Sequence, residues 1–132
     1  MTPPVRTRVL IVGTGFAGLG MAARLKQSGH DDFVVLERAG EVGGTWRDNT
    51  YPGAACDVPS HLYSFSFAPN PDWSRSFSPQ AEIQEYLRRL SSDFGLRAHI
   101  RFHHEVLGAA WDETAGRWQV RTTAGEIGRA HV

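Results

Sequence analysis

Residues 7–37 constrain this chain more than any other stretch. "RVLIVG" is a short, continuous β-branched run and reads as a buried strand. Gly13, Gly15 and Gly18 follow it in the pattern G-x-G-x-x-G. "FAGLGMAARLKQSG" then puts Phe16, Leu19, Ala22 and Ala23 on one helical face, with Gly29 as a C-terminal stop. "FVVLE", 33–37, is a second buried strand. Strand, glycine turn, helix and strand make a βαβ unit, which calls for a parallel sheet and an α/β fold.

The three glycines have separate tasks. The first makes a tight turn, the second lets the backbone approach a pyrophosphate, and the third lets helix and strand pack closely. A diphosphate would rest on the free N–H groups of the helix start, around Gly15, Phe16, Ala17 and Gly18. Glu37 stands 19 residues after Gly18, at the end of the second strand, with Arg38 beside it. A carboxylate at that place can accept hydrogen bonds from ribose hydroxyls. The fingerprint reads the ADP half that FAD and NAD share, so it leaves the choice of dinucleotide open.

Bulk properties narrow the class. At 132 residues the chain suits about one domain. Fourteen Lys and Arg balance fourteen Asp and Glu, so charge makes no case for nucleic acid or an anionic membrane as partner. A single cysteine, Cys56, excludes an internal disulfide framework and fits a reducing, cytoplasmic compartment. The N-terminal apolar run looks like a secretory signal, but Gly13, Gly15, Gly18 and Gly20 interrupt it and Arg24 and Lys26 follow. An apolar run of about 20 residues, as a membrane span needs, is missing.

Beyond residue 40 the pattern thins. "YSFSF" alternates aromatic and serine, which predicts an extended piece with Tyr63, Phe65 and Phe67 on one face. "SPQAEIQEYLRRLSSDFG" predicts a helix capped by Ser78, with Pro79 at its first position, Ile83, Tyr86, Leu87 and Leu90 as its buried stripe, and Gly95 at its end. "HIRF" reads as a short strand, and "EVLGAAWDETAGRWQVRTTAG" as a β-hairpin turning at residues 112 to 117. His103 and His104 would point to opposite faces of a strand, so no metal site is expected there.

"GTGFAGLG", "LERAGEVGGTW" and "YPGAACDVPSHLYSFSF" together resemble the N-terminal part of class B flavoprotein monooxygenases, over roughly residues 7 to 122. "YPGAACD" is more similar to the Baeyer–Villiger branch than to the N- and S-oxygenating branch. The resemblance implies a partial Rossmann-like FAD-binding domain plus a hairpin. It also implies FAD and NADPH as cofactors, and a small ketone or aldehyde and O₂ as partners. One oxygen atom would be inserted beside the carbonyl through a flavin C4a-peroxide. Read as residues, Gly43 and Gly44 let the backbone pass close to a flat ligand. Carried over residue by residue, Thr45, Trp46 and Asp57 would line the flavin ring, with Asp57 also near the nicotinamide. Tyr63 would touch the flavin, Val106 would lie beside the adenine, and Ala55 and Cys56 near NADPH. Read as residues alone, Trp46 also suits a core position, Asp57 the cap of a turn before Val58-Pro59, and Cys56 a small buried filler.

Two other classes fit parts of the pattern. An NAD-dependent dehydrogenase would use the same ADP fingerprint, and a non-catalytic module would need a complete sheet within this length. The last six residues, "IGRAHV", are what the codons ATC-GGA-AGA-GCA-CAC-GTC at the start of a widely used sequencing adapter spell. The expectation is therefore that residues 1–126 are the incomplete N-terminal part of the FAD-binding domain and 127–132 a non-native tail.

Overall fold

The computed structural model describes residues 6–60, 63–70 and 73–128. Three short strands form a parallel sheet: β1 (Val9–Val12), β2 (Phe33–Leu36) and β3 (Ile100–Arg101), with β2 in the middle. Val9 pairs with Phe33 and Val12 with Leu36, while Val35 pairs with Ile100. Both connections cross by helices, α1 (Phe16–Gln27) and then α3 (Gln80–Asp93), as parallel pairing requires. Between them lies a one-turn helix, α2 (Thr45–Asp48). A single 3₁₀ turn, Arg97–His99, leads into β3, so "HIRF" contributes two strand residues rather than four.

The sheet is covered on both faces. Strand side chains alternate, so Ile11, Phe33 and Val35 point to the helices and meet Leu19, Ala22 and Ala23 of α1 and Leu87 and Leu90 of α3. Leu10, Val34 and Leu36 point the other way and meet Val120, Trp118 and Val106. Those residues belong to an antiparallel sheet of β4 (Val106–Asp112), β5 (Arg117–Thr122) and β6 (Gly125–Gly128). The expected hairpin is present and turns where predicted. Asp112 Oδ1 accepts from the N–H groups of Thr114 (3.0 Å) and Ala115 (3.1 Å). A third strand extends it. Ile127 pairs with Val120 and Gly128 with Gln119, so these two residues of the expected tail continue the backbone ladder. The other four, 129–132, lie outside the described residues.

The helix ends are chemically alike. In α1, Gly29 donates to Lys26 O and His30 to Leu25 O. In α3, Gly95 donates to Ser92 O and Leu96 to Ser91 O. Both are Schellman closures with a glycine at positive φ. The start of α3 departs from expectation. Pro79 is the N-cap and no side chain caps the helix. Ser78 is fully buried and its hydroxyl lies 2.6 Å from that of Ser60, which also donates to Arg75 O. Ser78 thus stands one residue before the cap, with its hydroxyl bonded to Ser60.

"YSFSF" is not a strand either. Tyr86 Oη accepts from Phe65 N–H (3.0 Å) and donates to Ala68 O (2.6 Å), closing residues 65–68 into a turn. The three aromatics still gather, through ring contacts rather than pleat. Phe16 lies 4.7 Å from Tyr63 and 5.2 Å from Phe65, and Phe65 lies 5.1 Å from Phe67. His103 and His104 lie past the end of β3, with His103 at φ 58°, so the expected strand alternation does not apply to them.

Candidate functional site

A cleft of about 480 Å³ opens at the carboxyl ends of β1 and β2. Its floor begins where β1 stops. Gly13 takes φ 95° and donates to Leu36 O at 2.8 Å, tying the turn to β2. A β-carbon on Gly18 would sit 2.0 Å from Gly13 O, so α1 can lie this close to the turn only with glycine there. Helix α1 starts at Gly15 with no side-chain cap and no acid in its first turn. Its first N–H groups lack intrahelical partners and carry the positive end of the helix dipole. Phe16 turns its ring into the aromatic cluster and Ala17 is exposed; neither they nor Gly18 are among the cleft's lining residues.

Glu37 closes the other side of the turn. It is 3% exposed. Oε1 accepts from Thr14 N (3.2 Å) and Thr14 Oγ1 (2.5 Å) and forms an ion pair with Arg47 Nη1 at 3.0 Å, and Oε2 accepts from Ala39 N (2.8 Å). Burial pushes its carboxyl up, but the bonds from Thr14 and Ala39 and the Arg47 guanidinium outweigh it and hold it below its ordinary value. The group is therefore an anion at neutral pH, facing a cleft with hydrogen-bonding capacity left. Arg38 is largely exposed and reaches Asp48 at 3.4 Å.

The double-glycine loop crosses directly over the glycine turn. Gly43 donates to Thr14 O at 3.0 Å. Gly44, at φ 55°, is packed so tightly that a β-carbon would meet Gly15 Cα at 3.0 Å. The close approach expected toward a flat ligand is thus, at Gly44, an approach to the protein's own backbone. Gly44 and Thr45 line the cleft. Trp46 does not. Its Nε1 donates to Tyr63 Oη at 2.9 Å, and its carbonyl accepts from the Gln80 side chain.

Gly13, Gly15, Glu37, Arg38, Gly44, Thr45 and Val106 are brought together around the cleft. Ala55, Cys56 and Asp57 are not among its lining residues. Cys56 is buried and donates its N–H to Ser78 O, Ala55 bridges to Pro79, and Asp57 is exposed. Thr14 and Arg47 line the cleft without having been singled out from the sequence, and so does His104, which the sequence brought up only as a metal ligand. Thr14 occupies a variable place in the fingerprint, and Arg47 reaches Glu37 across a loop to which no spacing rule applies. No described helix is long and apolar enough to cross a membrane.

Residues 11–90 match the family model described as an NAD(P)-binding Rossmann-like domain. A Baeyer–Villiger monooxygenase of Streptomyces coelicolor is 61% identical over 120 residues, which are 91% of this chain and 23% of the relative. An FAD-binding monooxygenase of Aspergillus terreus is 44% identical over 89% of this chain and 22% of its own. Among solved structures, an oxidized steroid monooxygenase bound to NADP superposes with a TM-score of 0.88 at 41% identity, over 94% of this chain and 25% of that one. The chain therefore spans about a quarter of the length of the relatives it matches.

Proposed function

Because the chain belongs to the NAD(P)-binding Rossmann-like domain family, we propose that it is the FAD-binding start of a Baeyer–Villiger monooxygenase that uses NADPH and O₂ on a small ketone or aldehyde. The observation that carries this is the meeting of three features at one cleft: an uncapped helix start, a buried anionic Glu37, and a glycine loop laid on the glycine turn. The residues suit the adenosine diphosphate part of FAD. The first N–H groups of α1 take the diphosphate. Glu37 Oε2 accepts from the ribose. Val106, at the far end of the cleft, offers the adenine an apolar edge. A fixed negative charge at the ribose disfavours a 2′-phosphate, which favours FAD over NADP at this cleft. Thr45 lines the cleft, which supports reading it as a contact on the flavin side.

When bound, FAD reduced by NADPH would activate O₂ and deliver one oxygen atom beside a carbonyl, giving an ester or lactone. The chain's own part is to grip and orient the cofactor. Asp57, exposed on the loop beyond the cleft, is proposed to face the nicotinamide and flavin rings in the longer protein. In that protein, Asp57→Ala should lower NADPH-dependent turnover more than FAD content, and an equal loss of both would make it a structural residue. The unpaired Cys56 supports a cytoplasmic location. Residues 127–132 are proposed to be a non-native tail, and a genomic read running across codon 126 into the same six codons would refute that.

The test of function is purification of the full-length protein carrying this segment. It should be yellow, consume NADPH, and convert a ketone to an ester. A colourless protein would return the reading to a nicotinamide dehydrogenase, and oxygenation of amines or sulfides alone would move it to the sister branch.

A further inference from the structure

Glu37 is held from more directions than burial of a carboxylate requires. A carboxylate oxygen has about two lone-pair sites. Oε1 already takes two hydrogen bonds, from Thr14 N and Thr14 Oγ1, and has the Arg47 guanidinium 3.0 Å away in an ion pair, whereas Oε2 takes one, from Ala39 N. The remaining acceptor capacity therefore sits on Oε2. Arg47 is itself fixed. Its side chain is 13% exposed, Nη1 donates to Glu41 O at 3.0 Å, and Nε and Nη2 reach the Asp48 carboxylate at 2.8 and 3.1 Å. A guanidinium committed to three acceptors of the protein is poorly placed to take up a phosphate as well.

Resting on the reading that the cleft takes FAD, we infer that Arg47 is a positioning residue for ribose recognition: it occupies Glu37 Oε1 and so presents Oε2 to the ribose of the adenosine half. The backbone around it supports this. Arg47 stands in α2, whose entry is bolted to the glycine turn by the Gly43–Thr14 bond and the Gly44–Gly15 contact. Glu37, the turn and the loop are one bonded piece. Removing the Arg47 guanidinium takes its charge from beside Oε1 and loosens the hold on Glu37, which then rests on Thr14 and Ala39 alone, while leaving the diphosphate cradle in place.

The test uses the full-length protein carrying this segment. Its apoprotein is titrated with FAD and with an FAD analogue lacking the 2′-hydroxyl of the adenosine ribose. The parent should prefer FAD by about tenfold or more, as expected for a hydrogen bond to a charged acceptor. Arg47→Gln should lose most of that preference while still binding the analogue. Arg47→Lys, which keeps the charge but not the fork, should lose part of it and serves if Arg47→Gln does not fold. Glu37→Gln sets the floor. A purely structural Arg47 would weaken both ligands alike and leave the ratio at the parent value, which overturns the inference alone. A parent that binds no flavin overturns the FAD reading and the inference with it.

Discussion

A β-carbon at Gly18 would lie 2.0 Å from the Gly13 carbonyl oxygen and 2.9 Å from its carbon. Backbone cannot move aside as a side chain can, so Gly18→Ala should destabilise the domain by at least the ~1–3 kcal/mol typical of overpacking. Urea unfolding of the full-length protein checks this, and an unchanged midpoint would mean that α1 slides freely on the turn. Glu37 gives a second residue-scale expectation. Its folded pKa is lowered, so its contribution is present in full above the unfolded value, about 4.3, and lost as pH falls through the folded one. Glu37→Gln should therefore be less stable than the parent at pH 7, with the gap closing as pH drops below about 4. A gap that is the same at both ends of a pH series of melts would contradict the assignment. Gly13, Gly18 and Glu37 were legible in the sequence because the βαβ rule ties each to a place. Arg47 and Thr14 were not, because their bonds to Glu37 form only when three separate segments meet.

At the scale of elements, the long helix was read nearly to its ends, since Ile83, Tyr86, Leu87 and Leu90 recur at helical spacing and Gly95 closes it. The irregular stretch after residue 40 was not. Alternation in "YSFSF" imitates a strand, yet the segment turns, closed by Ala68 N–H on Phe65 O and tied to α3 by one phenol that bonds two of its backbone groups. Tyr86→Phe removes both bonds, to Phe65 N–H and Ala68 O. Loss of these partly buried bonds should cost about 1–3 kcal/mol. It should also raise protease cleavage within residues 65–68, where the backbone loses its tie to α3. Cleavage at the parent rate, with stability unchanged, would show that ring packing alone holds the turn. Ser78, a good capping residue by type, likewise stands one residue too early and bonds the buried Ser60 hydroxyl instead.

For the whole molecule, the sequence pattern foresaw an α/β sheet with a hairpin, and what it missed was the layering. The antiparallel sheet lies against the face of β1 and β2 away from the helices, through Leu36 and Val120. Among the described residues, β1 is paired only along β2. An unpaired strand edge is a template for association. The 132-residue chain, expressed alone, should therefore self-associate as concentration rises and melt without a sharp transition. A monomeric chain with a cooperative melt would refute that expectation by light scattering and calorimetry.

Strand β2 is bonded on both sides and covered on both faces, and Phe33, Val35 and Leu36 are each no more than 2% exposed. Its amide protons should be the slowest in the domain to exchange with solvent, since their release needs the largest opening. Glu37 follows it by one residue, so the acidic wall of the cleft is moored to the slowest part of the molecule. The facing wall is a one-turn helix, an element with little stability of its own. Its entry is tied to the glycine turn through Gly43 and Gly44, so any breathing that lets a dinucleotide in or out should come from its far end, at Asp48 and Asn49, with the timescale of a loop rather than of a sheet.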